Sequence, residues 1–165
     1  MLDLPKLSQL HRAHAEMLTR EKTRHIGAAP MFAGASTANQ ALLAATARLV
    51  HVDDGEVVIA EGDQTTAAYL VWSGTVHVEN AEGHVLARFE AGELVGEVAA
   101  ATGTPTYRFE RTATVRASGP AELYQIPAAS LKRLIDAEPA IRERIRTLIQ
   151  ERISLDQMDR HLKSV

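Results

Sequence analysis

Between His51 and Pro127 the chain is cut into short β-branched runs by turn residues at close intervals, and that rhythm leaves few folds open. Asp53-Asp54-Gly55 and Glu61-Gly62-Asp63 read as turns, with Val57-Val58-Ile59 as the strand between them. Tyr69-Leu70-Val71-Trp72 reads as a strand closed by Ser73-Gly74. Thr75-Val76-His77-Val78 alternates, with Val76 and Val78 on one face. Ala81-Glu82-Gly83 turns the chain into Val85-Leu86-Ala87-Arg88-Phe89, and Val115 with Leu123-Tyr124-Gln125-Ile126 ends the β region. Many short antiparallel strands at this spacing predict a jelly roll or small barrel.

Both flanks read as helix. Leu7, Leu10, His14, Met17 and Leu18 recur at helical spacing, and nothing breaks the run before Gly27. Gly27, Pro30 and Gly34 form a breaker-rich patch, after which Ser36-Thr37-Ala38-Asn39 reads as a helix start, with Leu42, Leu43 and Ala47 as its apolar face. After Pro127, Ala128 to Asp136 reads as a short helix, and Glu138-Pro139 opens another. Ile141, Ile145, Leu148, Ile149, Ile153 and Leu162 then form one stripe of a long amphipathic helix. The expected class is α+β: an antiparallel β jelly-roll barrel flanked by N-terminal helices and a long C-terminal helix. The expected organisation is an N-terminal helical segment over 1–50, a β-barrel over 51–127 and C-terminal helices over 128–165, forming one domain.

Composition narrows the function classes. The 165 residues contain no cysteine, which excludes disulfides, a thiolate nucleophile and a Cys-based zinc site. Met1-Leu2-Asp3-Leu4-Pro5-Lys6 lacks the apolar core of a signal peptide, and no stretch approaches the ~18 apolar residues of a membrane span. A soluble, cytoplasmic protein is expected. Residues 30–140 carry seven Lys/Arg against fourteen Asp/Glu, a balance of −7, while both ends are mildly basic. An acidic centre argues against a nucleic-acid surface, and any anionic ligand must be held by local groups.

Those local groups are present. Gly96-Glu97-Val98-Ala99, followed by Arg111-Thr112-Ala113-Thr114-Val115, sets a carboxylate and a guanidinium either side of a short segment that can open as a helix. A glutamate can accept from a ribose hydroxyl, and an arginine can fork onto phosphate oxygens. Backbone N–H groups at a helix start can take the rest of the anion's charge. The set suits a small cyclic ribose phosphate.

With Gly55, Val58, Glu61-Gly62-Asp63, Tyr69, Val71, Gly74, Val76 and Val78, this pattern resembles the cyclic nucleotide-binding domain family over roughly Ile26 to Arg152. Pro30-Met31-Phe32-Ala33-Gly34 looks like the segment that leads into that domain, and Ala113-Thr114-Val115-Arg116-Ala117 resembles the strand after its phosphate-binding cassette, here 95–115. The resemblance implies that Glu97 accepts from the ribose 2′-hydroxyl and that Gly96 lets the ribose come close. It implies that Val98 and Ala99 turn backbone amides to the cyclic phosphate, that Arg111 pairs with its exocyclic oxygen, and that Val95, Thr112 and Ala113 complete the site. Thr112 stands where some cGMP-accepting members also carry threonine. Arg152 falls where a related bacterial channel domain places a base-capping arginine. The chain departs from the family at Val95, where phenylalanine is frequent, and at Thr106-Tyr107-Arg108-Phe109-Glu110, which reads as a five-residue insertion between Pro105 and Arg111. Arg108 could take the phosphate if the loop folds differently.

The remaining motifs are quieter. His11 and His14 share a helix face without a third ligand nearby, and His77 with His84 lacks the tight His-x-His of a cupin, so no metal is expected. No nucleophile stands with a base, so the chain is read as a non-enzyme without a cofactor. The expected role is a sensor of cAMP, with cGMP as the other candidate ligand, that signals through an effector protein or through its own oligomeric state. The terminal or N-terminal helix would serve a homodimer. Because the chain stops at Val165, no helix-turn-helix is expected after the long helix, nor direct DNA binding. The rival reading is a ligand-free interaction module on the same fold, and a weaker one is a pocket retuned for another small anion.

Overall fold

The computed structural model describes residues 4–62, 66–96 and 113–163. In chain order they form α1 (Leu4–Ala28), α2 (Thr37–Thr46), β1 (Arg48–Val52), β2 (Val57–Ile59), β3 (Ala68–Glu79), β4 (Val85–Phe89), β5 (Leu94–Val95), β6 (Thr114–Ile126), α3 (Ala128–Ala137) and α4 (Pro139–Lys163). The first strand opens at Arg48, ahead of the change in sequence character at His51.

Local chemistry sets the helix boundaries. Ser36 is extended and its hydroxyl accepts from Asn39 N at 3.1 Å, the side-chain cap that starts α2. Pro139 takes the first position of α4, where its missing N–H costs nothing. α1 runs through Gly27 because that residue is a contact, not a break. A Cβ there would lie 2.8 Å from Gln40 Oε1 of α2.

One antiparallel sheet has the order β1-β6-β3-β4, with β2 also on β6 and β5 also on β3. β6 pairs with β3 from Ala68↔Ile126 to Glu79↔Thr114, with β1 through Ala121–Gln125, and with β2 at Val115 and Arg116. Ser73-Gly74 does not end a strand as the sequence suggested. β3 continues through it with shifts of register, and Gly74 takes φ +83°. The same happens at Gly119 in β6, so two long strands bend where four short ones were expected. Among the described residues the pairings leave the sheet open.

Alternation along the bent strands divides the apolar residues between two cores. One face of the sheet packs Ala68, Leu70, Leu94, Tyr124 and Ile126 against Ile26, Phe32, Leu43, Leu131, Ile141 and Ile145 of the helical elements. The other, inner face gathers Val52, Ile59, Val71, Val76, Phe89, Val95, Val115, Ala117, Ala121 and Leu123. Phe32, Leu123 and Ile126 are 0% exposed, so each core is closed to water. No helix among the described residues is long and apolar enough to cross a membrane.

Candidate ligand-binding site

Three of the residues singled out from sequence lie at the two ends of β3. β5 pairs with the start of β3, Leu94 against Leu70 and Val95 against Tyr69. Because strand side chains alternate, Leu94 enters the helix-side core and Val95, 2% exposed, enters the inner one. Gly92 N donates to Val71 O at 2.8 Å and Val71 N to Glu93 O at 3.0 Å, which fixes the turn before β5. Gly96 then takes φ +80°, a left-handed conformation that residues with a Cβ adopt only under strain. This glycine stands directly after β5, next to the Val95–Tyr69 pair.

The described chain resumes at the other end of β3. Ala113 is half-buried, Thr114 pairs with Glu79, and Val115 pairs with Val78 and Ile59. Glu61 N donates to Thr114 Oγ1 at 3.1 Å, tying the turn after β2 to the start of β6. The two anchor points are separated by the length of β3 from Tyr69 to Glu79, a contour on the order of 30 Å. Tyr69, Val71, Val76 and Val78 belong to the inner cluster there. Glu97, Val98, Ala99, Arg111 and Thr112, with Arg108 and the rest of the Thr106–Glu110 segment, lie outside the described residues. Arg152 falls on the helical backbone of α4, past the last side chain described.

Sequence reasoning missed a polar network on the opposite face of the same strands. His77 Nδ1 meets Ser118 Oγ, and His77 Nε2 lies 3.0 Å from Glu79 Oε2. Arg116 donates from Nε to Glu79 Oε1 at 3.1 Å and from Nη1 to Gly55 O at 2.8 Å. His77 and Glu79 are two apart on β3, a readable signal, but their link to Arg116 needs the β3–β6 register. The network ties the Gly55 turn to β6 three residues past Ala113. On the helix side, His25 stacks on Trp72 with centroids 3.6 Å apart, and its Nδ1 meets the Tyr124 hydroxyl at 2.7 Å. Burial, with Glu21 and Glu122 nearby, raises the pKa of that hydroxyl.

Two carboxyls are held below their ordinary value of 4.5: Glu79 by its bonds to His77 and then Arg116, and Glu138 by Asn39 Nδ2 and then Ser36 N. A group with a depressed value in the folded state stabilises above its unfolded value. That stabilisation is lost as pH falls through the folded value. The melting temperature should therefore drop as pH is lowered from 4.5, and a Glu79→Gln/Glu138→Gln double variant should show a shallower drop. Parallel curves for the two proteins would contradict this. Among the described residues no group of three or more His, Asp or Glu side chains is placed to hold a metal ion.

A profile of the cyclic nucleotide-binding domain matches residues 49–138, 90 of the 165 residues. A protein of Rhodopseudomonas palustris that carries a potassium-channel name is 29% identical over 126 residues, 74% of this chain and 29% of that protein. The chain thus spans under a third of that relative's length. The regulatory domain of Toxoplasma gondii PKA, crystallised with cAMP, superposes with a TM-score of 0.69 at 18% identity, over 86% of this chain and 52% of that one. The sensor domain of the transcriptional regulator DNR from Pseudomonas aeruginosa gives 0.68 at 21% identity, over 86% of this chain and 93% of that one. At these identities the likeness is one of fold.

Proposed function

The chain belongs to the cyclic nucleotide-binding domain family, and from that premise we propose that it is a sensor whose ligand is cAMP, with cGMP as the alternative. The observation that carries the reading is Gly96. It sits in the left-handed conformation at the end of β5, beside the inner apolar face, and the residue it releases is Glu97. A glycine there allows a sugar to approach the backbone, and a carboxylate next in sequence is the group that accepts from a ribose hydroxyl. The cAMP-bound PKA domain of similar fold supports the choice of nucleotide.

In this reading the sheet is part of a jelly-roll barrel. Its cassette at 95–115 is flanked by helical segments at 1–50 and 128–165. Val95, Gly96, Glu97, Val98, Ala99, Arg111, Thr112 and Ala113 hold the ribose phosphate, and Arg152 caps the base. Binding favours the arrangement in which α4 has moved toward the base, a shift of population driven by differential affinity. The output is regulatory: an effector protein, or a homodimer whose geometry changes. The domain performs no catalysis, binds no DNA itself and works in the cytoplasm.

Melting the purified protein with a series of cAMP and cGMP concentrations tests this. A true ligand raises the melting temperature with concentration, by mass action on the folded state. No rise with either nucleotide would favour the ligand-free interaction module, for which the lengthened Thr106–Glu110 segment is the supporting feature.

A further inference from the structure

Much of α1 stands clear of the rest of the protein. Its last two turns are docked: Lys22 Nζ donates to Ala47 O at 3.0 Å, His25 stacks on Trp72, and Ile26 is 0% exposed. Every residue from Ser8 to Glu21 is exposed, a length of about 21 Å. In that stretch Arg12 Nη2 donates to Ser8 Oγ at 3.2 Å and Thr19 Oγ1 to Ala15 O at 2.9 Å, bonds within the helix itself. A helix of this length is marginal in water on its own, so a partner along its apolar face would stabilise it.

That face is well defined. Leu10, Met17 and Leu18 are 65%, 55% and 44% exposed, and helical spacing sets them beside Leu7 on one side of α1. Ser8, Gln9, Arg12, Glu16 and Thr19 take the opposite side. The line through Leu10 and Met17 reaches Arg24 and Ala28 at the docked end, and both are exposed. The stripe is thus turned away from the domain, where a plane can meet it from end to end. Its borders are basic: Lys6, Arg20 and Arg24 on one edge, His11 and Lys22 on the other. Glu21, within the stripe, lies 3.9 Å from Arg24. From Lys6 to Ala28 the helix carries five Lys/Arg against two Glu, on a chain whose net charge is −3.

We propose that α1 lies along an anionic lipid surface, with Leu7, Leu10, Met17 and Leu18 at the boundary of headgroups and acyl chains and Lys6, Arg20 and Arg24 against the lipid phosphates. Charge decides against a second copy of the chain. Two α1 helices side by side, in either direction, would set cation against cation along the borders of the stripe. An anionic surface meets those borders with the opposite sign. It also repels the acidic centre, −7 over residues 30–140, which leaves α1 as the element that makes the contact. The proposal stands apart from the sensor reading, since no residue of the cassette enters it.

The test is cosedimentation of the full chain with vesicles of phosphatidylcholine, alone or with roughly 30% phosphatidylglycerol, and light scattering of the protein without lipid. Wild type should pellet with the anionic vesicles and bind the neutral ones roughly tenfold more weakly or less. Leu10→Gln/Met17→Gln and Lys6→Gln/Arg20→Gln should each lose roughly tenfold in binding to anionic vesicles. Arg12→Gln, on the opposite side of the helix, should stay near wild type. All these side chains are exposed and outside both cores, so each variant should melt as wild type does. Failure of wild type to pellet with anionic vesicles would overturn the proposal. So would binding that survives Leu10→Gln/Met17→Gln, or that falls as far in Arg12→Gln as in Lys6→Gln/Arg20→Gln, since charge would then act without the face. A wild-type dimer that Leu10→Gln/Met17→Gln makes monomeric would assign the stripe to a second copy and overturn it as well. None of these outcomes bears on nucleotide binding.

Discussion

Gly74→Ala is expected to lower the stability of the protein by roughly 3 kcal/mol or more, the largest effect of any single methyl group considered for this chain. Two costs add. Gly74 takes φ +83°, where an L side chain is strained by roughly 1–2 kcal/mol. Its added Cβ would also lie 2.5 Å from Pro120 O and 2.9 Å from Ala121 Cα, backbone atoms of β6 that cannot swing aside. Relief requires β3 and β6, the two strands that carry both cores, to part where they bend. Gly83→Ala separates the costs, because Gly83 has φ +82° and nothing within 4 Å of an added Cβ. It should lose only the strain. Melting both variants checks this. At about 2–4 °C per kcal/mol for a chain of this size, Gly74→Ala should melt roughly 10 °C below wild type, and Gly83→Ala only a few degrees below. Equal shifts would mean that the close approach of β3 and β6 is not what requires glycine at position 74.

Arg111→Ala should weaken nucleotide binding by about 10- to 150-fold. A charge-assisted contact to phosphate in a site closed to water is worth about 1.5–3 kcal/mol. The variant should fold normally, because both cores are built from other residues. Arg108→Ala is the matched control, three residues earlier in the inserted stretch. Loss in Arg111→Ala alone assigns the phosphate to Arg111. Loss in Arg108→Ala alone transfers the role and means that the insertion re-registers the cassette. Deleting Thr106 to Glu110 should keep the fold and leave a cassette of the family's usual length.

The parts of this architecture that were legible in the sequence are those set by neighbours in the chain. Ser36 caps α2 through Asn39, three residues on, and Pro139 opens α4, so each signal and its structure lie together. Val76 and Val78 alternate into the inner core as their spacing requires. Ser73-Gly74 was misleading for a physical reason. A left-handed glycine inside a bent strand looks locally like one that ends a turn, and what distinguishes them is Pro120 and Ala121, far away in sequence. Arg116 and Arg144 were illegible in the same sense. Each is an ordinary surface arginine until the β3–β6 register brings Glu79 to one and the packing of α4 brings three carbonyls to the other. The candidate site was legible as chemistry, through Gly96-Glu97 and Arg111. Of its members, the described structure places Val95, Gly96 and Ala113, at opposite ends of β3.

Calorimetric titration of cAMP and cGMP into protein freed of bound nucleotide bears most directly on the central claim. The account predicts saturable heat with cAMP, and its loss in Glu97→Ala, where the acceptor for the ribose hydroxyl is gone. Absence of heat with both nucleotides, or heat that survives unchanged in Glu97→Ala and Arg111→Ala, would contradict it.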